Sequence, residues 1–506
     1  MAMQPLSTTT SPQRWPGRWL ALCALATPLS MAQPVLPSLG DEQGMPIATE
    51  RRLGDSIAQS IYRDPDYIDD PVLGDYLQLL WAPLFKAAQA RGDIGPELAD
   101  RFAWELVISR DKRINAFALP GGYMGVNLGL IAATDSAPEI ASVMAHELSH
   151  VSQRHIARLI ARQDQQSPWL LGTMILGVLA ASASANVDVA NAVIVGGQAA
   201  AVQSQLGFSR DMEREADRIG FAILEQAGMD GQGFVTMFSK LYQASRLNDT
   251  GAFPYLRTHP LSDERMADMR NRLPAGATEP TWVAPEGLHA VMAARAAVLA
   301  ESSPERWQAW LTLGQQPRAD AALRVRAILS AHRLGQHAFA VRSARGLARD
   351  MADTPLQTVA NNLLVEVLMA PAWVADVQTP ADLAAHAQRA AQHTDRATVL
   401  GGIQSQMALR QWSGASERLR AWVVQHPSDA LAWQLLSQVQ WQLGQRVAAL
   451  RAEAESRVAV MDFQGGLDRL QAARALRGSQ DDWEQTIVQT RLRQVAERLK
   501  ESQREN

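Results

Sequence analysis

Apolar residues recur every three to four positions over most of the chain, the spacing of amphipathic helices. This pattern dominates from about Arg51 to Leu273. It breaks at Arg113–Leu130, where Arg-Ile-Asn-Ala-Phe-Ala-Leu-Pro-Gly-Gly-Tyr-Met-Gly-Val-Asn-Leu-Gly-Leu reads as two short strands around a Pro-Gly-Gly turn. Residues 274–285 are turn-rich and weakly patterned, so a linker is placed there. From Glu286 onward the pattern is again helical, in pieces of roughly 12 to 16 residues. The expected architecture is mainly α: an α+β domain with a small hairpin or sheet over 51–273, then a helical solenoid over 286–506.

A degenerate repeat supports the solenoid. Trp433, Leu436, Gly444 and Ala449 stand at tetratricopeptide spacing, Pro427 closes the preceding unit, and Ala415 lies 34 residues before Ala449. Leu334, Gly335 and Ala340 repeat the same turn and small-residue contact. A small residue lets two antiparallel helices approach, and glycine permits the turn between them.

Two more apolar stretches, Pro168 to Ala183 and Val189 to Val202, fall short of the roughly 20 residues that span a bilayer. They are expected to be buried or interfacial helices covering the active site of the first domain, with peripheral membrane contact as the other reading. At the N-terminus, Arg14 and Arg18 precede an apolar run from Trp19 to Leu29, and Ser30-Met31-Ala32 is a small-x-small cleavage site. Residues 1–32 therefore read as an export signal, followed by a Pro-rich lead-in over 33–50. The single cysteine, Cys23, follows Leu22 rather than a small residue, which excludes lipid attachment. The processed chain would hold no thiol, which suits an oxidising compartment and points to the periplasm. With 47% hydrophobic and 20% charged residues the chain has globular composition. A net charge of -4 and no basic stripe argue against nucleic acid as a partner.

The chemistry is concentrated at His146-Glu147-Leu148-Ser149-His150. On a helix, the two histidines are one turn apart on one face and can bind one metal ion, while Glu147 is placed to take a proton from water. A third ligand is needed. A histidine six residues after His150, preceded by a glycine three residues after it, is ruled out by Ile156 and Gln153. His155 falls about 140° from the ligand face if the helix continues, and reads as a surface or outer histidine. The helical run Ser209–Asp217 offers Glu213 as third ligand and, one turn on, Asp217 as acceptor for the outer N–H of a ligand histidine. Glu215 is the competing carboxylate but points about 200° away from Glu213.

These motifs resemble the gluzincin family that includes the CAAX prenyl proteases and the HtpX heat-shock proteases. Asn115–Gly122 resembles its strand and turn before the catalytic helix. Thr258-His259-Pro260, followed by Arg265, resembles its late loop motif. The resemblance implies one zinc ion per chain on His146, His150 and Glu213, with Glu147 as general base. It places His259 near the metal, either filling the open coordination position or stabilising an oxyanion; a plain loop histidine is the other reading. The strand at Asn115, Ala116 and Phe117 is expected to pair with extended substrate, and Arg265 to steady either the loop or the substrate. With the export signal and the repeats, the resemblance also implies a periplasmic endopeptidase with a chaperone-like role in outer-membrane quality control. Its partners would be unfolded or misassembled β-barrel proteins and the barrel-assembly machinery. A repeat scaffold with a latent protease is the alternative. The chain lacks the spanning helices of the membrane-embedded members, which counts against prenyl-peptide substrates.

Overall fold

The computed structural model describes residues 45–162, 209–247, 255–274, 276, 279–370, 376–476 and 482–505. The export signal and both apolar stretches lie outside the described residues. Among those described, no helix is long and apolar enough to cross a membrane.

Helix α1 (Ile47–Tyr62) is followed by β1 (Tyr67–Ile68), α2 (Pro71–Arg91), α3 (Pro96–Arg101) and β2 (Glu105–Ser109). Helix α2 starts where Asp70 accepts the Leu73 N–H at 2.9 Å and ends at Gly92, in the left-handed region at φ 82°. The Pro-Gly-Gly turn joins β3 (Ala116–Leu119) to β4 (Tyr123–Asn127), as the sequence predicts. Residues 128–130 differ: they open α4 (Leu128–Ala133) rather than extend the strand. The sheet has four strands in the order β1-β2-β4-β3, with β2 and β4 parallel and both outer pairs antiparallel. Strands β1 and β2 were not predicted. They are short, and Glu105–Ser109 gives too few residues to separate alternation from helical spacing.

Beneath the sheet lies α5 (Ala137–Ser152), with Pro138 in its first turn and Ser136 as its cap. The chain continues through α6 (His155–Arg162), α7 (Arg210–Gln226), α8 (Gln232–Leu247), α9 (Tyr255–Thr258) and α10 (Asp263–Arg272). Helices α7 and α8 both pack on α5. Gly220 makes the first contact possible: a Cβ there would come within 3.0 Å of the Ala145 carbonyl and the His146 nitrogen.

Helix α11 (Leu288–Ala300) opens a series of antiparallel helices that runs to Glu505, each packed on its neighbours, so an α+β domain is followed by a helical-repeat region. The two expected turn glycines, Gly335 and Gly444, have φ of 71° and 75°. Ala340 and Ala415 are fully buried and Ala449 nearly so. One apolar core continues from Leu73 on α2 through Val291 and Met292 on α11 to Leu383. Polar links reinforce it: Arg295 is bidentate to Asp70, and His289 meets the Thr134 carbonyl oxygen at 2.8 Å. Further on, Arg396 binds both Asp69 and Asp429.

Candidate metal centre

Helix α5 brings His146 and His150 to one face, with their Nε2 atoms 3.0 Å apart. Helix α7, capped by Ser209, presents Glu213 in its first turn. Glu213 Oε1 lies 3.5 Å from His150 Nε2, and Oε2 lies 3.6 Å from His146 Nε2. The short helix α9 delivers His259, whose Nδ1 stands 3.0 Å from Glu213 Oε1 and 3.3 Å from His146 Nε2. These four residues form the group able to hold a metal ion among the described residues, with donor atoms within 4.8 Å of one another and every residue buried.

The spacing fits a tetrahedral metal. Donors about 2.0 to 2.1 Å from a central zinc ion are separated by about 3.3 Å, and the contacts above cluster around that value. Electrostatics points the same way. Burial opposes charge on His146, but Asp217 and Glu213 outweigh it and push its pKa up to about 10. Glu213 is held well below the usual carboxylate range, because His259 and His146 overcome its burial. The pocket thus favours a cation among its ligands.

Asp217 Oδ1 lies 3.0 Å from His146 Nδ1, the outer nitrogen of that ring. Arg265 grips Asp217 with contacts of 2.6 and 2.8 Å, reaches Glu213 Oε2 at 2.8 Å and donates to the Pro260 carbonyl at 2.7 Å. It is buried among these partners, so of the two roles read from the sequence the structure places it on the loop and the ligand helix, not facing an open cleft.

Glu147 sits at the rim of the cluster. Its Oε2 accepts the Ala118 N–H at 2.9 Å, while its buried Oε1 has no hydrogen-bond partner among the described residues and lies 3.5 Å from His259 Nε2. Burial raises its pKa, against the influence of His259 and His146. Strand β3 is an edge strand. Asn115 accepts the Asn127 N–H at 3.0 Å, so by antiparallel alternation the Phe117 and Leu119 backbones also face β4. Ala116 and Ala118 turn their backbone groups outward, and the bond from Ala118 to Glu147 shows that this side faces the metal centre. The side chains of Asn115 and Phe117 go elsewhere: they line a small recess with Tyr67 and Asp111, and the Phe117 ring covers Gly125. Tyr123 is fully buried, with its hydroxyl on Asp55 at 2.7 Å, and packs rather than faces the centre.

Two features escape the sequence reading. Tyr255 stacks on His259 with ring centroids 4.6 Å apart, and only its position four residues before His259 could have suggested it. His155, read as a surface or outer histidine, takes the outer place and is fully buried, its Nδ1 2.9 Å from His150 Nδ1; what was missed is its partner Glu215, whose Oε2 lies 3.1 Å from its Nε2.

Comparison with known proteins agrees with this geometry. Residues 92–273 match the model of Peptidase family M48. The chain is 28% identical over 440 residues to a beta-barrel assembly-enhancing protease of Yersinia pestis, covering 84% of each protein. It is 33% identical over 269 residues to a putative beta-barrel assembly-enhancing protease of Vibrio cholerae, covering 51% of this chain and 52% of that protein. In that match the chain spans about half the length of the relative. A mitochondrial metalloendopeptidase OMA1 of Saccharomyces cerevisiae is 27% identical over 203 residues, 39% of this chain and 55% of its own.

Proposed function

We propose that the chain, whose residues 92–273 match Peptidase family M48, is a zinc-dependent endopeptidase acting on outer-membrane β-barrel proteins in the periplasm. The observation that carries the zinc reading is the tetrahedral spacing of the donors on His146, His150, Glu213 and His259. Zinc, when bound, would supply Lewis acidity toward the peptide carbonyl and lower the pKa of a coordinated water. Glu147 would take the proton from the attacking water on Oε1 and return it to the leaving amine. Its raised pKa suits that exchange. The outward backbone groups of Ala116 and the Ala118 carbonyl would pair with an extended substrate, the Ala118 N–H being held by Glu147, a recognition mode tolerant of sequence and suited to unfolded clients.

The names of the Yersinia and Vibrio relatives support a role in barrel assembly, and the apolar run before Ser30-Met31-Ala32 supports export. Misassembled barrel proteins would be degraded and others helped to mature, with the helical repeats engaging clients or the assembly machinery. Purified chain should hold one zinc and cleave a denatured outer-membrane protein, and a chelator should abolish the cleavage. Cleavage undiminished in zinc-free protein would defeat the reading.

A latent state is favoured by His259. A fourth protein donor closes a zinc site that catalysis requires to be open. On this reading His259 and the stacked Tyr255 hold the enzyme off until a client displaces them. His259→Ala should then raise basal proteolysis with zinc retained. Reduced turnover with normal zinc would make His259 an oxyanion stabiliser instead.

A further inference from the structure

We propose that His155 and Glu215 form a hydrogen-bonded arm that sets the tautomer and orientation of His150, which makes both of them positioning residues of the metal centre. The proposal rests on His150 being a metal ligand, as read above.

The chain reaches this arrangement by breaking a helix. Helix α5 ends at Ser152, and Arg154 adopts φ of 51°, in the left-handed region. An arginine tolerates that conformation only when the surroundings hold it. Here Glu50 binds the Arg154 guanidinium at 2.8 Å, and the Met45 carbonyl accepts a second N–H from it. The break starts α6 at His155 in a new direction. An unbroken helix would carry His155 about 140° from His150; after the break the two rings stand against each other, centroids 4.8 Å apart.

The proton positions then follow from connectivity. His150 turns Nε2 into the donor cluster, 3.0 Å from His146 Nε2 and 3.5 Å from Glu213 Oε1. A neutral imidazole that coordinates through Nε2 carries its proton on Nδ1. That N–H points at His155 Nδ1, 2.9 Å away, which must accept it. His155 therefore carries its own proton on Nε2 and donates to Glu215 Oε2 at 3.1 Å. A doubly protonated His155 would set two N–H groups against each other across 2.9 Å. A single assignment satisfies both contacts, and it runs N–H to acceptor from the metal site outward. Glu215 ends the arm at the protein surface, its side chain 28% exposed and also bound by Arg158 at 3.0 Å.

His146 has the shorter version of the same device, with Asp217 directly on its outer nitrogen. The two ligand histidines are thus backed by carboxylates, one directly and one through an imidazole. Glu215, set aside in the sequence because it points away from Glu213, serves the metal by facing the other histidine.

The test measures zinc affinity of the full chain by competition with a chelator of known strength. His155→Leu and Glu215→Leu should each weaken binding about 10- to 100-fold. The double variant should be no worse than the worse single one, because both remove one arm. Glu215→Gln should recover most of the loss, since its amide oxygen still accepts from His155. The absorption bands of the cobalt-substituted protein should shift in His155→Leu and not in Arg158→Leu, which strips Glu215 of its other partner only. Metal-free melting compared with wild type reports folding, and Glu215→Leu, at the rim, carries the test if His155→Leu does not fold. Wild-type zinc affinity and cobalt spectrum in folded His155→Leu or Glu215→Leu protein would overturn the arm, as would losses that add in the double variant. His150→Ala is the control for the premise: it should abolish tight binding, and retention of wild-type affinity there would overturn the ligand assignment beneath the proposal.

Discussion

Around His146 the interior is polar. Glu147, His150, His155, Glu213, Asp217, His259 and Arg265 are all buried there, each held by contacts to the others. In the repeats beyond Arg396 the interior is predominantly apolar: Leu419, Ala432, Val439, Ala452, Leu470, Val488 and Val495 are fully buried and fill the space between antiparallel helices. The two regions stand in one chain but answer to different physics. A buried charge is costly unless a specific partner sits at a specific distance, so the metal centre depends on a few residues that cannot be exchanged. Apolar packing tolerates any side chain of suitable volume, so the repeats depend on many residues weakly. Single substitutions should therefore act sharply in the first region and gently in the second.

The largest effect is expected at Glu147. Glu147→Gln keeps all the donors of the cluster and can still accept the Ala118 N–H, but loses the base. Peptide hydrolysis should fall about 100- to 10,000-fold with zinc content unchanged, as read by turnover and metal analysis on one preparation. Loss of the metal in that variant would instead make Glu147 a structural member of the cluster.

The seam between the regions comes next. Arg295 is bidentate to Asp70 and also reaches Glu366 at 2.7 Å, with 8% and 10% of the Arg295 and Asp70 side chains exposed. Arg295→Met strands Asp70, the cap of α2, without its cation. The expected cost is about 3–5 kcal/mol, measured by denaturant unfolding. Adding Asp70→Asn should return part of it, because the stranded charge is then gone.

Asp75 makes the seam sensitive to pH. It accepts the backbone N–H groups of Arg396 and Ala397 at 3.2 and 2.7 Å. Burial, aided by the like charge of Asp395, outweighs those donors and pushes its pKa up to about 6. A carboxyl whose pKa is raised on folding favours the folded state when protonated. Its contribution is complete below its ordinary value near 4, and is lost as pH rises through about 6, in total on the order of 2–3 kcal/mol. Asp75→Asn should flatten stability across that window and raise it at neutral pH. An unchanged slope would place the pH dependence elsewhere.

How much of this was legible in the sequence follows the same division. His146, His150 and the Glu213–Asp217 pair could be read because each pair sits on one unbroken helix, where spacing dictates direction. The partnership of His155 with Glu215 could not, because it depends on the break at Arg154, and no glycine or proline marks that position. At the edge strand, the alternation was visible but not its phase. Asn115, Ala116 and Phe117 were expected at the substrate; of these only Ala116, together with Ala118, turns its backbone groups outward. In the repeats, Gly335 and Gly444 announced their turns. The matching turn at Arg410 was silent for want of a glycine.

That silent turn gives the smallest test. Arg410 stands 34 residues before Gly444, and the two positions have the same backbone: φ of 59° and 75°. The hydrogen bonds repeat too. Arg410 donates to Met407 and Gln411 to Gln406, as Gly444 donates to Trp441 and Gln445 to Gln440. An L-residue pays roughly 1 kcal/mol for that left-handed conformation, while glycine gives back part of the gain through its freer unfolded chain. The Arg410 side chain is exposed, and no described residue gives it a partner to lose. Arg410→Gly should therefore stabilise the repeat region by about 0.5–1 kcal/mol, seen as slower hydrogen exchange in the helices Arg396–Ala408 and Trp412–Gln425. Zinc binding and turnover should not move. A destabilised variant would mean that the arginine stem covers apolar surface at this turn, and that even in the tolerant region a side chain can matter more than the backbone it strains.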